Sequence, residues 1–340
     1  MKTKICLNKV IVFLIVFGLV CTSLLETGCS KNNQSSPFRV KDVSLVLDYT
    51  PNTNHIGIYV AQAKGYFQEY GLNVTIEQPP DSGADALVAS GKAQFGISFQ
   101  DWMASYLGSD NKLPVTAIAA ISQHNTSSIL SLSDAGISSP KDMTGKTYAT
   151  MEVEIEQEIL KTLVNQDGGD WSKVNVVSNG AADEYQGLKS KMFDCVWSYD
   201  AWGVLMCKQK GESVKTINIA SMSDTFDFYT PVIIANNDYI NNNSDVVQAF
   251  IDAVKKGYVF ASENPEEAAN ILCEADSSLD KDLVKESAKM LATTFVEEDK
   301  EWGVFDENRW SKFYSWINEN NLTQRPLDVS SGFTNKFVTY

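Results

Sequence analysis

Only two histidines, His55 and His124, occur in the 340 residues, which excludes a histidine-rich metal site. Besides Cys29, the cysteines that matter are Cys195, Cys207 and Cys273. They stand at unrelated spacings, so they give neither a disulfide framework nor a Cys-x-x-Cys metal site and read as structural. No Gly-x-Ser-x-Gly, His-Glu-x-x-His or phosphate-loop pattern is present. The side chains left with chemical character are polar and aromatic. The run Asp48 to Asn54, within 48-DYTPNTNHIGIYVAQAKGYF-67, gathers Asp, Thr and Asn groups that can make directional hydrogen bonds to a small molecule. The stretch 151-MEVEIEQE-158 holds four glutamates, and Trp197, Tyr199, Asp200 and Trp202 form an aromatic group with one acid. Each also has a plainer reading: first-turn carboxylates offset a helix macrodipole, Asp200 caps the helix that follows it, and aromatics at strand ends fill cores.

The elements that would position these groups alternate along the chain. Residues 42-DVSLVLDY-49 alternate as a strand does, and 55-HIGIYVAQAKGYFQEYG-71 carries Ile56, Tyr59, Val60, Ala63 and Phe67 at helical spacing until Gly71. Strands follow at 73–78, 93–99 and 115–122, with helices near 83–91 and from Asp101. A second set has strands at 146–150, 174–178, 193–199 and 215–220 and a helix at 155–166. After a strand at 231–236 the pattern becomes helical through 245–264, 279–295 and 307–320. This predicts an α/β fold of two lobes with largely parallel sheets. The Asp48 to Asn54 run then lies at the carboxyl end of the first strand and the start of a helix, where open α/β sheets bind ligands. Asn and Thr also cap helices there, so position leaves both roles open.

Lys2, Lys4 and Lys9 precede the apolar run 10-VIVFLIVFGLVC-21, which is shorter than the ~20 residues of a membrane span. Residues 1–28 therefore read as a signal peptide, and 24-LLETGC-29 resembles the bacterial lipoprotein signal, with Cys29 as the lipidated residue and Glu26 where that signal usually has Leu. A polar tether over 29–37 follows. No later segment is apolar enough to cross a bilayer, so the mature chain is expected outside the cytoplasmic membrane, lipid-anchored to its outer face. The net charge of −15 becomes about −17 without Lys2, Lys4, Lys9 and Glu26. Such acidity argues against a nucleic-acid partner.

The run 47-LDYTPNTNHIGIYVAQAKGYFQEYGLNV-74 resembles the substrate-binding proteins of ABC importers for thiamine pyrimidine precursors, a superfamily that also includes the fungal thiamine-pyrimidine synthase. The likeness continues in 88-VASGKAQFGIS-98, 120-AISQHNTSSI-129, 139-SPKDMTGKTY-148, 229-YTPVIIAN-236, 257-GYVFASENPEEAANIL-272 and 333-FTNKFV-338. It implies a type II fold like that of periplasmic binding proteins, with two α/β lobes, a ligand cleft between them and two chain crossings near 123–126 and 224–229. Residues 38–124 and 225–340 would form one lobe and 125–224 the other. The implied partners are an aminopyrimidine and the permease and ATPase subunits of an importer. The chain is expected to be a monomer that needs no cofactor.

A pyrimidine ring calls for flat aromatic faces, with a carboxylate and amides for its nitrogens and amine. By the resemblance Asp48 is followed by Tyr49, where the family often has Trp, and Asn54 and His55 match its motif. Gln100 and Trp102 follow the third strand at another carboxyl end. Gln123 and Asn125 stand at the first crossing, and Asp227 and Tyr229 at the second. In the second lobe Glu156 stands at the family carboxylate, Met151 and Glu152 depart from a Gly- and Trp-rich segment, Trp197 and Trp202 keep two aromatic positions, and Tyr199 adds a third. In the synthase branch a histidine of this motif is consumed, with pyridoxal phosphate, iron and a cysteine-rich segment. No cysteine cluster accompanies His55 here, so a binding role is favoured over an enzyme. Matched positions that are acidic and aromatic favour a neutral or cationic ring over a sulfonate or nitrate, with riboflavin as the rival ligand.

Overall fold

The computed structural model describes residues 40–80, 82–180, 183–296 and 301–339. The signal peptide, the tether and Cys29 lie outside them.

Two five-stranded sheets organise the chain, one in each α/β lobe. The first has the order β2-β1-β3-β10-β4, from β1 (Lys41–Val46), β2 (Leu72–Glu77), β3 (Phe95–Ser98), β4 (Val115–Ala120) and β10 (Val232–Asn236). The second has the order β7-β6-β8-β5-β9, from β5 (Ser127–Leu132), β6 (Thr147–Thr150), β7 (Asn175–Ser178), β8 (Cys195–Tyr199) and β9 (Val214–Asn218). The chain passes from one sheet to the other between β4 and β5 and returns between β9 and β10. β3 and β10 are buried along their whole length, as strands covered on both faces must be.

The expected largely parallel sheets are mixed. β1 runs parallel to β2 and β3, and β6 runs parallel to β7 and β8. β10, the strand returning to the first sheet, is antiparallel to both of its neighbours, and so is β5, the first strand after the other crossing. Each enters its sheet from the opposite lobe and runs against its neighbours there. The long helix expected over 55–71 is divided: Ile56–Ala63 and Tyr66–Glu69 are separated at Gly65, whose φ of 75° lies in the left-handed region.

One face of the first sheet is covered by Ile56–Ala63 with Ser244–Glu263, Pro265–Ala275 and Lys281–Phe295. Helix Ser244–Glu263 brings Phe250 against Phe95 of β3, with ring centroids 3.8 Å apart. It also crosses Ile56–Ala63 at two glycines. A Cβ on Gly257 would sit 1.9 Å from the Gly57 carbonyl oxygen, and one on Gly57 would sit 2.3 Å from the Tyr258 ring. That close approach lets the Tyr258 hydroxyl donate to the Asn54 carbonyl at 2.6 Å, tying the polar loop after β1 to the long helix. Gly257→Ala should therefore force the helices apart and lower stability by about 3 kcal/mol or more in a urea titration, because the clash is with backbone. A loss under 0.5 kcal/mol would contradict this account of the crossing.

Candidate functional site

The loop after β1 is built by its own side chains. Asn52 caps the 3-10 turn Thr53–His55, its side chain accepting the Asn54 N–H at 2.9 Å. His55 answers: its Nδ1 accepts the Asn52 N–H at 3.3 Å, so Nε2 carries the proton and donates to Asp48 Oδ1 at 2.6 Å. His55 is wholly buried, and both ring nitrogens are engaged. Thr53 bonds the Ser287 hydroxyl at 2.5 Å, which fastens the loop to helix Lys281–Phe295. Asn54 is half-buried, and Tyr49, 65% exposed, stands free of the core.

Gln100 and Trp102 begin the helix Gln100–Leu107 at the carboxyl end of β3. The Gln100 side chain is buried and committed to backbone: Nε2 donates to the Trp310 carbonyl at 3.0 Å and Oε1 accepts the Tyr229 N–H at 2.9 Å. Trp102 is half-buried, edge-on to Phe99. Asp101, between them, was not singled out by sequence. Burial pushes its carboxyl up to about 7, and the charged groups acting on it, Glu156 and Asp85, are both acidic. Glu156 belongs to the second lobe, so the acids acting on Asp101 come from both lobes.

In the second lobe Glu156 is buried in the first turn of helix Glu154–Gln166. Its oxygens accept from the Tyr148 hydroxyl, from Thr150 Oγ1 at 3.3 Å and from the Met151 N–H at 3.0 Å. Burial raises its pKa, and these bonds counter that only in part. They tie the carboxyl to its own lobe, so the geometry gives Glu156 the work of shaping the 151–153 loop. Within that loop Glu152 has φ of 65°, a left-handed backbone on a non-glycine residue where the family resemblance expects a Gly-rich segment. Met151 is exposed at its tip.

Trp197 packs in the core beside Ile129 and Ile155, whereas Tyr199, half-buried, ends β8 with its hydroxyl bonded to Thr230. Burial raises the Tyr199 pKa, with Asp101, Asp48 and Glu156 adding to the effect. Tyr199 thus marks where β1, β3 and the second lobe converge. A single turn of π-helix, Asp200–Val204, places Trp202 against the core of the first lobe and lies against helix Lys281–Phe295. Asp200 Oδ2 accepts from Asn218 at 3.2 Å, while its Oδ1 is buried without a hydrogen-bond partner among the described residues.

The crossing residues form a network. Asp227 Oδ1 accepts the Asn125 N–H at 2.9 Å, Asp227 Oδ2 pairs with His124 Nδ1 at 2.6 Å, and Arg309 stands 3.6 Å from Oδ2 while donating to the Gln123 carbonyl. Burial would raise the Asp227 carboxyl, but the bonds from His124 and Asn125, together with Arg309, hold it below the usual range. Asn125 is buried, its amide bonded to the Phe226 carbonyl and the Ser127 N–H. Tyr229 is buried too, its hydroxyl accepting the Asp306 N–H at 2.6 Å. Gln123 differs: it is 3% exposed, and its Nε2 has no hydrogen-bond partner among the described residues.

The strand ends of the two sheets thus carry acids and an aromatic hydroxyl. Residues 52–268 match the family described as NMT1/THI5 like. The chain belongs to the NMT1/THI5-like family. Among members of known identity, the formylaminopyrimidine-binding protein of Halalkalibacterium halodurans is 27% identical, over 94% of this chain and 97% of that protein. The 4-amino-5-hydroxymethyl-2-methylpyrimidine phosphate synthase of Legionella pneumophila is 23% identical, over 87% and 92%. In fold, this NMT1/THI5-like chain is similar to the alkanesulfonate-binding protein of Xanthomonas axonopodis pv. citri, with a TM-score of 0.67 and 10% identity, covering 86% of this chain and 98% of that one. The architecture is thus that of the two-lobed periplasmic binding proteins.

Two outcomes test the geometry. His55→Phe keeps a flat ring but adds volume at a buried site and strips Asp48 and the Asn52 N–H of their partner, and should lower stability by about 2–3 kcal/mol in a urea melt. Asp101 holds its proton to about pH 7 when folded, whereas an unfolded Asp releases it near 4. Its contribution is therefore full below about pH 4 and lost as pH rises through 7. Asp101→Asn, which does not ionise, should gain on the parent protein between pH 4 and pH 8 by up to about 4 kcal/mol. Parallel stability curves for the two proteins would refute the placement of Asp101.

Proposed function

We propose that this chain is the extracytoplasmic substrate-binding protein of an ABC importer, and that it captures an aminopyrimidine of the thiamine-precursor type for delivery to the permease. The observation that carries this reading is the chemistry at the strand ends: Asp48 follows β1, Asp101 follows β3, Glu156 lies in the first helical turn after β6, and Tyr199 ends β8. A sulfonate or nitrate placed there would meet carboxylates; an aminopyrimidine brings amine donors and a ring that suits Tyr49 and Trp102. The 27% identity with a formylaminopyrimidine-binding protein, over nearly the whole of both chains, supports the same ligand class.

A binding role is also favoured over synthesis by His55. A histidine given up as substrate has to reach a reactive cofactor, and this one is fully buried with its nitrogens bonded to Asp48 and Asn52. Residues 38–124 and 225–340 would then move as one lobe against 125–224, about crossings near 123–126 and 224–229, with Cys29 holding the mature protein, a monomer, at the membrane.

The test is a thermal-shift and calorimetry series against formylaminopyrimidine, 4-amino-5-hydroxymethyl-2-methylpyrimidine, riboflavin, taurine and nitrate. An aminopyrimidine at 100 times its dissociation constant should add about 2.7 kcal/mol of stability. A response to riboflavin alone would keep the capture role and replace the ligand. A response to taurine or nitrate alone would overturn the charge argument.

A further inference from the structure

One face of the second sheet turns from apolar to polar over a single step. Leu130 of β5 lies directly opposite Val196 of β8, and both are buried with Leu188, Val204 and Cys207 from the helical segments packed on them. Two residues along, Ser128 lies opposite Ser198 on one side and Asn218 of β9 on the other, so these three side chains form a row on that same face. Asp200, two residues beyond Ser198, continues it as the chain enters the π-helical turn.

Carboxyl groups stand at both ends of the row. Glu184, the first residue of helix Glu184–Lys189, has Oε1 3.4 Å from Ser198 Oγ. That is long for a hydroxyl donating to a carboxylate, which ordinarily lies within about 3.0 Å. Asp200 Oδ2 accepts from Asn218 Nδ2 at 3.2 Å, and Asn218 Oδ1 is taken by the Ser221 N–H at 2.9 Å. Asp200 Oδ1 and Ser128 Oγ are buried with no hydrogen-bond partner among the described residues, and Ser128 is wholly buried. The charged group acting on Glu184 is Asp183, another acid. Gly203 leaves the room: a Cβ there would clash with Ser198 Oγ and lie 2.8 Å from Glu184 Oε1, so the absence of a side chain lets the π-helical turn pass over both oxygens.

We propose that Glu184 Oε1, Ser198 Oγ, Ser128 Oγ and Asp200 Oδ1 form a calcium site, with water completing the shell of the ion. The set is all oxygen, which selects a hard cation. A cation about 2.4 Å from two oxygens at a right angle holds them about 3.4 Å apart, whereas magnesium, at about 2.1 Å, draws them to about 3.0 Å. The Ser198 and Glu184 oxygens stand at the larger separation. Two carboxylates balance a divalent charge, and a monovalent ion leaves one of them buried and unpaired. The ion lies beneath Asp200–Val204, the turn that seats Trp202 on the first lobe's core, and so fixes that turn. Calcium binding here is independent of which ligand the cleft takes.

The experiment is a set of thermal melts and calorimetric titrations of the chelator-treated protein with calcium, magnesium and sodium chlorides at matched ionic strength, for the parent, Ser128→Ala and Glu184→Gln. Calcium should raise the parent's Tm saturably, with a dissociation constant on the order of 0.1–1 mM. Magnesium should bind at least about tenfold more weakly, and sodium should give no saturable shift. Ser128→Ala removes a buried hydroxyl that has no partner, so without calcium it should melt at or above the parent, yet bind calcium about tenfold more weakly. Glu184→Gln should lose the saturable shift; if it does not fold, Ser128→Ala decides. No saturable calcium shift in the parent, an equal response to magnesium or sodium, or a calcium response unchanged in either folded variant would overturn the site. Ser128→Ala melting well below the parent without calcium would overturn it too, since that hydroxyl would then have a partner of its own.

Discussion

Asp227 is the group on which the arrangement depends. It comes from the segment that leaves the second sheet, yet it accepts hydrogen bonds from His124 and Asn125 of the other crossing and stands beside Arg309 of the last long helix. One carboxylate therefore ties both crossings to one another and to the first lobe. Arg309 completes the tie by donating to the Gln123 carbonyl and lying over the Tyr229 ring. Desolvation of Asp227 opposes the arrangement, and the direction of its pKa shift says that the bonds outweigh the burial. Because the crossings are pinned, the carboxyl ends of β1, β3, β6 and β8 are held facing one region, and the side chains after them have little choice of where to go.

Much of this was legible in the sequence because it is local. Nine of the ten strands and most long helices follow from alternation and helical spacing, and the loop after β1 announces itself by composition. The strand that escaped notice, β5, reads SSILSL: only Ile129 is β-branched, and three serines dilute the pattern. Its identity as a strand comes from neighbours on both sides, β8 and β9. The helix Pro265–Ala275 was hidden by continuity, since only Asn264 separates it from the helix before and its Pro265 sits at the first helical position.

The site divides along the same line. Asp48, Asn54 and His55 could be found because they are adjacent in the chain, although their roles could not: the bond between His55 and Asp48 turns a candidate ligand group into a brace. Gln100 stands after β3 as the strand pattern placed it, but its side chain is engaged with backbone that no local pattern could show, because Tyr229 and Trp310 lie more than a hundred residues away. Asp101 was passed over for the opposite reason. An Asp in a helix's first turn is ordinary in sequence, and only its burial, with Glu156 of the second lobe and Asp85 of the preceding helix acting on it, makes it unusual.

That grouping of acids bears on how such a protein would open and close. Carboxyl groups from two lobes brought together without a cation repel once ionised, and burial strengthens the effect by excluding water. On the proposed reading the empty cleft is therefore under electrostatic pressure to open. A ligand offering an amine donor relieves that pressure where an anion adds to it, so the interaction that selects the ligand is also the one that permits the lobes to meet. The seating of Trp202 on the first lobe's core supplies attraction that does not depend on the ligand. Closure is then a balance between a constant apolar contact and a charge term that the ligand alone changes, which ties selectivity to closure without a separate device.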